Sequence, residues 1–130
     1  MAKQFTLGKK ERIKSRKQTE QLFSEGKKFT LTPFRIHYTI EKNTTTKLLF
    51  GVGVSSKNFK RAVDRNRIKR LVREAYRLQK KTIQDKLIEQ QTGLNVFFIY
   101  TGKELPVYHE IYQKTGKVLD KLLLIISETN

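Results

Sequence analysis

The sequence predicts an α+β fold of two layers, with helices packed on a small mixed sheet. Three observations carry that expectation. Phe34, Ile36, Tyr38 and Ile40 alternate with Arg35, His37 and Thr39, the period of a half-buried strand. Val96 to Ile99 is apolar without a break, as suits an interior strand covered on both faces. Between these strands, Lys60 to Lys81 repeats apolar residues at helical spacing.

Taken in order, residues 1–14 form a basic arm, and residues 15–130 form one domain. Ser15 caps a short helix from Arg16 to Ser24 that Gly26 closes. Lys28 to Ile40 is extended, with Pro33 interrupting it because proline donates no ladder hydrogen bond. Glu41 to Thr46 is a polar connection around Asn43, and Leu48 to Val54 is the expected hairpin partner of the preceding strand. Gly51 and Gly53 lie two apart and so share a face, leaving room against the backbone. The long basic helix follows, with Asp64 near its positive end. Thr82 to Gln91 is a helical extension ended by Gly93, and Leu94 to Tyr100 is the next strand. A last helix from Val107 to Ser127 has Tyr108, Ile111, Tyr112, Thr115, Val118, Leu119, Leu122 and Ile126 along its buried stripe.

The whole chain is strongly basic, with a net charge of +16 over 130 residues. That excess points to a polyanionic partner, a nucleic acid before an anionic membrane. The aliphatic run Leu122 to Ile126 is far short of the ~20 residues a membrane span needs. The basic N-terminal stretch lacks the apolar segment of a signal peptide, so a cytoplasmic protein is expected. The chain has no Cys and two His, His37 and His109, and its acids are dispersed. No thiol nucleophile, zinc site, two-metal carboxylate centre or phosphate-binding glycine loop is legible.

Chemistry concentrates in the basic helix. At about 100° per residue, Ile68, Leu71, Val72, Ala75 and Leu78 fall on one side. Asn66, Arg70, Arg73 and Arg77 line the other, flanked by Lys69 and by Arg65 and Arg67 near the start. Like charges at this spacing cost a few tenths of a kcal/mol per pair, which Glu74 only partly offsets. Most basic helix faces are solvated surface. Here arginine, whose planar fork suits phosphate, outnumbers lysine along one line. A second group is aromatic: Phe23, Phe34, His37, Tyr38 and Tyr100, beside Lys27, Lys28, Arg35 and Lys57. Stacking rings with a positive groove hold unpaired nucleotides. Phe34 and Phe98 belong to the core; for Phe23, and for one of His37 or Tyr38, core and groove are equally open.

These residues resemble the bacterial ribonuclease P protein subunit. The resemblance is carried by Arg61-Ala62-Val63, Arg65-Asn66-Arg67-Ile68-Lys69-Arg70, Arg73-Glu74 and Arg77, and extends through Gly51-Val52-Gly53-Val54-Ser55 and Lys57. It implies an αβββαβα sandwich, like the second domain of a ribosomal protein of the small subunit, with a left-handed βαβ crossover. It also implies a subunit that joins a catalytic RNA and promotes endonucleolytic removal of the 5′ leader of precursor tRNA. The RNA would carry the Mg²⁺ and the hydrolysis, with no small-molecule substrate and no metal on the protein. Arg61, Arg65, Asn66, Arg67, Lys69, Arg70, Arg73 and Arg77 would face the catalytic RNA. Phe23, Lys27, His37 or Tyr38, and Lys57 would line the leader cleft. The family often has a second aromatic where this chain has Thr19. The competing classes are a structural RNA-binding protein, such as a ribosomal protein, and a protein-only nuclease.

Overall fold

A computed structural model describes residues 16–42 and 48–128, so the basic arm, the Ser15 cap and the connection around Asn43 lie outside the described residues. The elements are α1 (Arg16–Glu25), β1 (Lys27–Leu31), β2 (Phe34–Lys42), β3 (Leu48–Val54), α2 (Ala62–Gln79), α3 (Lys81–Gln90), β4 (Thr92–Tyr100) and α4 (Tyr108–Glu128). Gly26 ends α1 by close approach: its N–H donates to the Leu22 carbonyl at 2.9 Å, and an added Cβ would collide with the carbonyl oxygens of Leu22 and Tyr38.

The four strands form one sheet in the order β1-β2-β4-β3, with β3 and β4 parallel and the other pairs antiparallel. This corrects the expected hairpin between β2 and β3. β4 lies between them, and its runs of apolar side chains on both faces suit that interior place. A parallel β3–β4 pair needs a long crossover, which α2 and α3 supply.

The core lies between one face of the sheet and α2, α3 and α4. Phe98 of β4 is fully buried and meets Phe34 and Phe50 edge-on, each at 5.3 Å between ring centroids. The Phe50 ring stacks on Tyr76 of α2 at 4.0 Å with planes 8° apart. The inward stripe of α2 is Ile68, Val72, Ala75 and Tyr76. Leu78, expected inside, is 40% exposed; it lies about 100° from the middle of that stripe. Tyr76 takes the inner place because its ring, hydroxyl notwithstanding, offers a large apolar face to Phe50. Past the end of α2 the interior is filled by the buried Lys80, Ile83 and Leu87.

Two further expectations shift. α3 stops at Gln91, which adopts the left-handed conformation (φ 51°) and bonds back to Ile88, so Gly93 lies inside β4, which starts at Thr92. In α4 the buried stripe is Ile111, Thr115, Val118, Leu119, Leu122 and Ile126, while Tyr108 is half-buried and Tyr112 exposed. α1 lies on the far face of the sheet, where Phe23 touches His37 and Phe97.

Replacing Phe98 with Ala should lower unfolding free energy by about 3–5 kcal/mol, whereas Leu78→Ala should change it by no more than about 0.5 kcal/mol. Urea unfolding of the two variants checks this; comparable losses would return Leu78 to the core.

Candidate nucleic-acid interface

The basic helix begins after an extended Arg61 that makes no side-chain cap. Arg65 instead ties down the approach to the helix: its guanidinium donates to the carbonyl oxygens of Phe59 (2.7 Å) and Lys60 (2.8 Å), fixing the connection against the first turn. Asp64 adds negative charge at the positive end of the helix. Arg61, Asn66, Arg67 and Arg70 are exposed, and Lys69 and Arg73 are half-buried beside them. Arg77 ends the row differently. Its Nε donates to Glu74 at 3.1 Å and its Nη2 pairs with the same carboxylate, which holds the guanidinium firmly charged. The most exposed side chains of the row are therefore Arg61, Asn66, Arg67 and Arg70.

The second surface is the sheet face beneath α1. Strand register sets Lys28, His37, Phe97 and Gly51 side by side across β1, β2, β4 and β3. The next set along is Thr30, Arg35, Ile99 and Gly53. Phe23 descends from α1 onto this floor, 4.5 Å from the His37 ring and 5.2 Å from the Phe97 ring, and remains 41% exposed. Gly53 allows the Phe97 ring to lean over β3, since a Cβ there would meet Phe97 Cε1 at 3.0 Å. Asn95 Nδ2 donates to Thr39 Oγ1 at 3.1 Å and closes one end. Lys57 is exposed just beyond the end of β3, in a turn where its N–H donates to Ser55 Oγ.

Not every residue expected in this cleft is there. Tyr38 faces the helices, is 7% exposed and packs on Phe29, so His37 is the one that meets Phe23. Lys27 pairs in register with Tyr38 and shares its side; Lys28 is the lysine beside His37. The reason is the period of two, which sends neighbours in a strand to opposite faces. Thr19 lies outside the described side chains. Phe97 was missed, although it sits in the floor. Its signal was present in a run apolar on both faces, but the run alone does not say which side is open.

Burial pushes the His37 imidazole below its ordinary pKa, and Lys28 and Arg35 push it the same way. The ring is therefore neutral at neutral pH, a flat aromatic surface rather than a fourth cation. Among the described residues no group of three or more His, Cys, Asp or Glu comes together that could hold a metal ion. None of the helices among the described residues is long and apolar enough to cross a membrane.

An arginine-lined helix and an aromatic floor edged with cations define a small basic α+β protein whose surfaces suit a nucleic acid with unpaired bases. The Ribonuclease P family model matches residues 7–124, and the chain belongs to that family. The ribonuclease P protein component of Porphyromonas gingivalis is 38% identical over 119 residues, covering 91% of this chain and 87% of that protein. The component from Nitrosococcus oceani is 33% identical over 95 residues, 72% of this chain and 78% of its own length. In structure, the RNase P protein from Thermotoga maritima matches with a TM-score of 0.67 at 24% identity, covering 85% of this chain and 96% of that one. The mixed α+β fold is thus that of ribonuclease P proteins. Membership makes the chain a protein component of an endoribonuclease with an RNA partner, active in tRNA processing.

Because the folded-state pKa of His37 lies below the ordinary 6.5, the unfolded chain binds the extra proton between the two values. Stability should rise with pH through that window, be complete above 6.5, and fall as acid charges the ring. Urea midpoints measured from pH 5 to 7.5 should show a shallower acid limb in His37→Gln than in the native chain; parallel curves would mean the ring titrates alike folded and unfolded.

Proposed function

We propose that the chain docks on the catalytic RNA of ribonuclease P through α2 and holds the 5′ leader of precursor tRNA on the sheet face beneath α1. The observation that carries this reading is the separation of the two surfaces. The arginine row rides on a helix packed against one face of the sheet, and the Phe23–His37–Phe97 floor is on the other. One polypeptide so built meets two RNA segments at once.

The residue types divide the work. Arg61, Asn66, Arg67, Lys69, Arg70 and Arg73 offer charged and polar groups suited to phosphate and sugar. Arg65 contributes by orienting the turn before the helix, and Arg77 by closing the row. Phe23, His37 and Phe97 supply stacking faces, which an unpaired leader offers bases for and a base-paired stem does not. Lys28, Arg35 and Lys57 surround the floor with positive charge for the leader backbone.

Bond cleavage belongs, in this reading, to the RNA. The Mg²⁺ that activates water is held there, and this chain positions substrate and neutralises phosphate charge. Its setting is the cytoplasm, with no membrane and no small-molecule substrate.

The direct test adds the purified protein to the catalytic RNA and precursor tRNA at low Mg²⁺. Cleavage at the mature 5′ end should accelerate strongly; unchanged cleavage would sink the proposal, and cleavage by protein alone would assign the chemistry to the polypeptide. The leader surface has its own test. Phe23→Ala should weaken binding of leader-bearing precursor roughly tenfold and leave mature tRNA unaffected, as read by filter binding to the reconstituted holoenzyme. Equal losses for both RNAs would take Phe23 out of the leader site.

A further inference from the structure

Residues 55–61 join the two surfaces by a short, braced connection. It leaves β3, whose Gly51 and Gly53 are in register with the leader floor, and ends at Arg61, the residue before α2. Ser55 folds its first part into a turn. The Ser55 Oγ accepts from the Lys57 N–H and the Ser55 carbonyl from the Phe59 N–H, each at 3.1 Å. Phe59 then plugs into the core, buried, with its ring centroid 6.1 Å from that of Tyr100. Arg65 braces the last part from the helix side. Both bonds come from Nη1 and end on the carbonyls of Phe59 and Lys60, at 2.7 and 2.8 Å. The cations that the connection carries, Lys57, Lys60 and Arg61, stay exposed.

An arginine bonded to nearby carbonyls is most often a local brace with no further consequence. What this one braces gives it a consequence. Lys57 stands at the floor end of the connection and Arg61 at its helix end. Their spacing is therefore set by the Ser55 turn, the Phe59 plug and the Arg65 bonds. Arg65 also differs from its neighbours in exposure, being half-buried where Arg61, Arg67 and Arg70 are exposed. Both Nη1 hydrogens point inward, so one of the two fork edges suited to bidentate phosphate contact is already occupied.

We infer that Arg65 is a positioning residue that links the two surfaces. It acts on RNA through the connection it holds, placing Lys57 beside the leader floor and Arg61 at the head of the docking helix. It does not itself pair with phosphate. This role rests on the two-surface reading of the chain and adds the element that keeps the surfaces in fixed relation.

Two double-mutant cycles in the reconstituted holoenzyme test the link. The first reads leader preference, the ratio of affinities for leader-bearing precursor and mature tRNA. Lys57→Ala and Arg65→Ala should each lower it roughly threefold. The double variant should lower it no further than Lys57→Ala alone, because Arg65 acts through Lys57. The second reads affinity for the catalytic RNA, where Arg61→Ala and Arg65→Ala should be non-additive in the same way. Additive losses in either cycle, or native values in Arg65→Ala, overturn the positioning role. Hydrogen exchange on the free protein gives a reading without RNA: the Lys57 and Phe59 amides should exchange faster in Arg65→Ala, and native protection there also overturns it. Arg65→Lys, which keeps a donor for one of the carbonyls, runs through the same measurements, so a failure of Arg65→Ala to fold does not close the test. Phe23→Ala and Arg70→Ala keep the underlying reading separate. If they still weaken leader and catalytic-RNA binding respectively, the two surfaces stand without the link; if both are silent, that reading falls as well.

Discussion

The structure depends on the placing of β4 between β2 and β3. That strand is apolar on both faces, and each face does a different job. Phe98 and Val96 point to the helices, where Phe98 touches Phe34 and Phe50, and Phe50 carries the stack with Tyr76 that seats α2. Phe97, the next residue to Phe98, points the other way and forms the floor under Phe23. Alternation along one strand thus fixes both the position of the basic helix and the surface opposite it. A slip of one residue in this strand would exchange core for site.

Charge sets the second constraint. A chain at +16 that collects arginines on one helix works against itself before any partner arrives. The structure answers locally. Arg65 turns inward to backbone carbonyls, and Arg77 is matched by Glu74. The middle of the row, around Asn66, Arg67 and Arg70, stays exposed to solvent. Repulsion is thereby relieved at the two ends of α2, where a fraying turn would be most costly, and is left where a polyanion would relieve it.

Much of this was legible in the sequence, and the parts that were not share a cause. Alternation in β2, the interior character of β4 and the amphipathic basic helix all follow from local periodicity. The pairing of β3 with β4 does not, because strand order is decided by which strand has two apolar faces to cover, not by which strand comes next. The choice between His37 and Tyr38 turned on a single position, which becomes definite only when the β1–β2 register is known. Phe97 was hidden by the same ambiguity. Tyr76 and Leu78 were exchanged because a wheel read by residue type ranks leucine above tyrosine, whereas packing against Phe50 rewards ring area.

His37 shows how the two constraints meet. The imidazole stands between Lys28 and Arg35 and under the Phe23 ring, so a proton on it would add a cation to a crowded positive edge and bring that charge under an aromatic lid. Burial and both neighbours favour the neutral ring, and the neutral ring is also the better stacking surface for a base. Positive charge then sits at the rim of this surface, while the floor remains uncharged. Separating the two functions in this way lets attraction for phosphate and affinity for bases be set by different residues on one small sheet.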